Sequence, residues 1–294
     1  VYKVMQENNF IKIKRDLQQI ADMLLLNGTL TECPGLVHGK MGIATFFFHY
    51  AQFTGKELFA DYAMDVIGEM LDQIHINSPA DYEKGIAGIG VGIDYLIRNG
   101  FLSIEDDICE DFDQCMTRAV TCVPWLDFTQ YNGLIGLGRY WITRLHYPAP
   151  SIHAQECLLS ITAQIDERKP NISTAEQTDV FCFLYDLQKI SGFESCIGLL
   201  EQCQKKWNLQ SLTDMRNSPR LGTSAISKIV HAYHRNWYFN DSLQNEIEIA
   251  LKRMPALDME KAPVSTGLLN GYAGEGMLRL TLLNQTNLSW MHLL

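Results

Sequence analysis

Two kinds of apolar segment alternate along this chain. In LFADYAMDVIGEMLDQI the residues Leu58, Tyr62, Ala63, Val66, Ile67, Met70, Leu71 and Ile74 share one side of a helix and leave the other side polar. In IATFFFHYA, from Ile43 to Ala51, the apolar residues run nearly all round, which implies burial on most sides. The first kind predicts outer helices and the second inner ones. The chain opens with an outer-type segment over about residues 10–26, and the alternation then predicts roughly twelve helices. Strand signals are scarce, since no Asn-Gly or Asp-Gly pair separates two alternating runs.

Each inner-type segment follows a pair of glycines. LVHGKMGIATFF carries Gly39 and Gly42, YEKGIAGIGVGI carries Gly85 and Gly88, QYNGLIGLGRYW carries Gly133 and Gly136, and GLLNGYAGEGM carries Gly271 and Gly274. PRLGTSAISKIV is a weaker relative, with Gly222 followed by Ala225. The first glycines stand at 39, 85, 133, 222 and 271, so the gaps are 46, 48, 89 and 49. The third gap is close to twice the others, which places a worn copy near residue 178 in STAEQTDVFCFLYDLQK. Six units of this period are the signature of a stacked or closed helical repeat. Inner helices more apolar than outer ones favour closure over an open superhelix. The expectation is an all-α, single-domain α/α toroid over residues 1–294, with six inner and six outer helices. Glycines at i and i+3 then allow crowded backbones to approach. The inner-helix N-termini, with unpaired N–H groups, would form a shared ligand mouth. A leucine at Gly28, in a presumed turn, should matter much less than one at Gly88 or Gly136 unless φ at Gly28 is positive.

Composition narrows the partners. Lys and Arg number 24 against 34 Asp and Glu, and the net charge of −10 argues against nucleic acid and leaves cationic or neutral partners. No run of eighteen apolar residues suggests a membrane span, and VYKVMQENNFIKIKRDLQQ lacks the apolar core of a signal peptide. The eight cysteines include no C-x-x-C pair and read as reduced thiols, hence a cytoplasmic location.

The repeats GLVHGKMGIA and GLLNGYAGEGM resemble those of the lanthionine synthetase C-like family of lanthipeptide cyclases. The resemblance runs along nearly all of the chain and is sharp in four of the six units. It implies an α/α toroid tied to peptide modification. Members usually have seven helix pairs, so the chain reads about one pair short, on its N-terminal side. The family joins a peptide cysteine to a dehydrated serine or threonine, using a zinc ion on two Cys and one His to hold the thiolate. The family's Cys-His-Gly triplet corresponds here to Arg220-Leu221-Gly222, and the earlier ligand falls near Glu176, Gln177 and Thr178. The family's acid/base His corresponds to Asn132, while the one His-Gly pair is His38-Gly39. No metal site, and no zinc, is therefore expected.

Acidic and aromatic residues flank the glycine turns. The residues His38, Asp81, Glu83, Asp127, Tyr131, Asn132, Arg220, Tyr272 and Glu275 are the candidate ligand-binding set at the mouth, with no catalytic residue assigned. The acidic ones also suit helix capping. The leading reading is a lanthionine synthetase C-like protein without zinc-dependent cyclase activity that binds a peptide or protein partner. An enzyme using the same cavity is a second reading, through thioether formation by another route or carboxylate-based glycoside hydrolysis. An interaction scaffold acting through its outer helices is a third.

Overall fold

The computed structural model describes residues 2–75, 77–106, 109–122, 124–146, 151–207, 266–284 and 289–294. The described residues are helical, with no strand among them. In chain order the α-helices are α1 (Tyr2–Asn27), α2 (Lys40–Thr54), α3 (Glu57–Leu71), α4 (Ile86–Arg98) and α5 (Cys109–Thr121). They continue with α6 (Leu134–Leu145), α7 (Ala154–Arg168), α8 (Thr174–Leu187), α9 (Cys196–Lys206) and α10 (Tyr272–Asn284). The worn copy near residue 178 falls inside α8, whereas the unit opened by Gly222 lies outside the described residues. No helix among the described residues is long and apolar enough to cross a membrane.

The chain divides into two compact units, residues 1–74 with 217–294, and residues 75–216. In the first, α2 packs against α3 on one side and α10 on another, and α1 packs on α10. Phe47 of α2 carries the α2–α3 contact, with ring centroids 6.0 Å from Phe59 and 4.8 Å from Tyr62. In the second, α4, α6 and α8 lie side by side, with α5, α7 and α9 packed on them.

The glycines have a local cause. The loops before α2, α4 and α6 fold back over the first turn of the helix that follows. Lys40 N donates to Cys33 O, Ile86 N to Pro79 O and Leu134 N to Asp127 O, each at 2.9 Å. A Cβ at Gly39, Gly85 or Gly133 would run into those same carbonyl oxygens. The next amides follow suit, with Met41 N bonded to Pro34 O at 3.2 Å and Ala87 N to Ala80 O at 3.3 Å. The expected open N-termini are thus corrected: the leading N–H groups of α2, α4 and α6 are occupied by their own loops, which removes the anion-binding donors. Gly28 is also corrected. It is buried, and a Cβ there would sit 2.7 Å from Leu24 O and 2.5 Å from the Tyr62 hydroxyl.

The second and third repeats, and the last and first, meet through one recurring set of contacts. A Cβ on Gly136 would lie 2.7 Å from Tyr82 Cβ, and one on Gly42 would lie 3.0 Å from Leu268 Cγ. Tyr82 and Leu268 each stand three residues before the first glycine of the preceding repeat. Glu83 N donates to Tyr131 O at 3.1 Å, as Leu269 N does to Val37 O at 3.0 Å. One turn further in, an aromatic ring of one repeat fills the gap left by a glycine of another: Tyr140 at Gly90, Phe183 at Gly138 and Phe46 at Gly276. The last repeat therefore meets the first with the contacts that join the second to the third.

Candidate functional site

The loops before α4, α6 and α8 bring polar side chains together at one end of the second unit. Tyr82 is buried completely, and the Arg139 guanidinium lies 4.2 Å from its ring centroid, a cation–π contact. Tyr82 N and Glu83 N both donate to Tyr131 O, at 3.0 and 3.1 Å. Burial pushes the Tyr131 phenol well above its ordinary value; Arg139 opposes this, while Tyr82, Asp179 and Glu83 add to it. Glu83, Tyr131, Arg139 and Asp179 thus share one electrostatic neighbourhood. In water-poor surroundings a phenol that stays protonated is a hydrogen-bond donor, and the half-buried guanidinium supplies a fixed cation.

Most of the carboxylates have structural duties. Asp81 Oδ1 accepts Lys84 N at 2.8 Å and Asp127 Oδ1 accepts Thr129 N at 2.7 Å. Glu176 Oε1 accepts Phe128 N and its Oε2 accepts Ser173 N, both at 2.8 Å, the latter completing a capping box. Asp179 Oδ2 accepts Gln130 N at 2.8 Å. Burial would raise the Glu176 carboxyl, but hydrogen bonds from the Ser173 hydroxyl and the Phe128 and Ser173 amides hold it below its ordinary value.

Of the candidate residues, Glu83 and Tyr131 join this cluster directly. Asp81 and Asp127 brace its loops, and Asn132 is exposed beside it. In the first unit His38 is half-buried, and a Cβ on Gly267 would collide with its backbone. Tyr272 is buried at the start of α10. Glu275 accepts Arg279 Nη1 at 2.7 Å, and Arg279 also faces buried Asp16 at 3.5 Å, so Glu275 belongs to a packing network. Arg220 lies outside the described residues.

Arg139 and Asp179 are the members of the cluster absent from the candidate set. A signal for Arg139 exists in the repeat. It stands six residues after Gly133, where the corresponding units carry Thr45, Val91 and Met277. A cation at an otherwise uncharged inner-helix position calls for a partner. Asp179, like Glu176, stands out as an acidic residue beside the worn turn, but its role as acceptor for Gln130 N depends on the fold of the neighbouring loop.

No protein-family model matches the chain, and no curated protein matches it. At the stretch where the resemblance places the earlier zinc ligand, Glu176 is committed to three donors and Gln177 and Thr178 bring no thiolate or imidazole. The residues there do not fit the family's zinc site. Among the described residues no group of three His, Cys, Asp or Glu side chains could hold a metal ion. No disulfide joins any of the eight cysteines. Burial pushes the thiols of Cys157 and Cys203 up to about 11, which keeps them protonated and poor nucleophiles at neutral pH.

Proposed function

We propose that this chain is a lanthionine synthetase C-like protein tied to peptide modification, an α/α toroid that binds a peptide or protein partner at its inner-ring mouth without zinc-dependent cyclisation. The observation that carries the reading is the joint between the last and first repeats, whose Gly276–Phe46 and Leu269–Val37 contacts repeat the Gly90–Tyr140 and Glu83–Tyr131 contacts of consecutive units. That is the relation a closed ring requires. The mouth of such a ring would present Arg139, Tyr131 and Glu83, a cation, a donor and an acceptor suited to peptide groups. The commitment of Asp81, Asp127, Glu176 and Asp179 to backbone amides weighs against a glycosidase, which needs two carboxyls available for chemistry.

The test is calorimetric titration with a synthetic peptide carrying one cysteine and one dehydrobutyrine. Binding should weaken at least tenfold, about 1.4 kcal/mol, in Arg139→Ala. The peptide's thiol should still react with a blocking reagent after incubation, with or without added zinc. Absence of binding would overturn the peptide reading, and thiol loss together with one zinc per chain would restore the cyclase reading.

A further inference from the structure

The joints between repeats are not chemically alike. Where the loop before α4 meets the loop before α6, the acceptor is a backbone carbonyl, Tyr131 O, which has no titratable proton. The joint between the loops before α10 and α2 likewise uses Val37 O. The loop before α6 meets α8 differently. Its amides at Phe128 and Gln130 donate to the side-chain carboxylates of Glu176 and Asp179. The reason lies in the repeat register. With Phe183 at the place of Tyr140, Glu176 and Asp179 fall at the places of Gly133 and Gly136. Without glycines α8 cannot take the close backbone contact, and two acidic side chains span the distance instead.

We infer that the α6-loop–α8 joint is a carboxylate latch, which opens locally when Glu176 and Asp179 lose their charge while the carbonyl-bonded joints stay closed. A hydrogen bond to an ionised acceptor is roughly twice as strong as a neutral one, so protonation removes much of the attraction at both bonds. The loop stays tethered on either side. Trp125 N donates to Gln164 Oε1 at 3.0 Å, Trp125 Nε1 donates to Ala119 O at 2.8 Å, and Leu134 N holds Asp127 O. The segment released from the α8 carboxylates is therefore 128–130, while Tyr131 O keeps its bonds from Tyr82 N and Glu83 N. Groups bearing on the latch are Asp127 and Tyr131 of the loop, Arg139 of α6, Glu83 of the neighbouring loop and Ser173 before α8. Because the folded Glu176 value is depressed, its contribution is complete above the ordinary carboxylate range, roughly 4.3, and is lost as pH falls through the depressed value.

Amide hydrogen exchange on the full chain tests this, read as protection factors so that intrinsic pH effects cancel. In the double variant Glu176→Gln, Asp179→Asn at neutral pH, protection at Phe128 and Gln130 should fall at least tenfold, with less than a twofold change at Tyr82 and Glu83. Wild-type protein taken from pH 7 to 3.5 should lose protection at the first pair before the second. If the variant does not fold, the wild-type series decides. Simultaneous loss at both pairs, or unchanged protection at Phe128 and Gln130, overturns the latch.

Discussion

Gly136 is pressed from two sides. A Cβ there would lie 2.5 Å from Gln130 O in its own loop and 2.7 Å from Tyr82 Cβ in the neighbouring repeat. Neither atom is the tip of a flexible side chain, so Gly136→Ala must displace backbone. The expected cost is about 2–4 kcal/mol, in the range of overpacked cores. Gly68 supplies the contrast. It is exposed within α3 and a Cβ there meets nothing within 4 Å, so Gly68→Ala should stabilise by about 0.5–1 kcal/mol. Urea midpoints that move the same way in both variants would refute the argument. Gly28 cannot serve as the tolerant site, because the Leu24 carbonyl and the Tyr62 hydroxyl already fill its surroundings.

Inner and outer helices are joined by more than apolar contact. Asp113 of α5 accepts Arg144 Nε at 3.2 Å and the Tyr140 hydroxyl, both from α6, and all three side chains are buried. Removing one ion of such a set strands the other. Asp113→Ala should therefore cost about 3–5 kcal/mol, whereas Asp113→Leu with Arg144→Met should cost much less. Equal losses in thermal or urea unfolding would contradict this. Pairs of this kind explain what could be read from the sequence and what could not. The apolar side of α3 and the all-round apolar α2 were legible because burial follows helical period. Glycine spacing located α4, α6 and α10, and even the worn α8. The acceptors Glu176 and Asp179, and the ion Asp113, were not legible in their roles. Their partners lie tens of residues away, on elements whose register only packing decides. The same holds for the amides of α2, α4 and α6, which the sequence could not show to be covered by loops.

For the molecule as a whole, one buried base sets a pH dependence. His49 lies within α2, and burial lowers it from the ordinary 6.5 to about 4. Between those values the unfolded chain binds a proton that the folded chain refuses. Stability is therefore complete above pH 6.5 and falls as pH drops toward 4, by a few kcal/mol at about 1.4 kcal/mol per unit. His49→Gln should flatten this slope between pH 6.5 and 4.5 in urea unfolding. An unchanged slope would show that His49 is protonated in the folded protein.

The ring-over-glycine contact has a consequence for assembly. A notch made by one missing Cβ admits any aromatic ring of suitable size, so Gly90, Gly138 and Gly276 offer similar seats to Tyr140, Phe183 and Phe46. Sliding a helix by one residue presents the ring to a side chain instead of a notch, which makes register errors costly. Choosing the wrong repeat carries no such penalty. Only Tyr140 carries an address beyond its shape, since its hydroxyl must reach Asp113 and the Cys109 carbonyl. Interchangeable seats favour transient mispairing during folding, and a single hydroxyl on one ring is a means of sorting neighbours that would otherwise look the same.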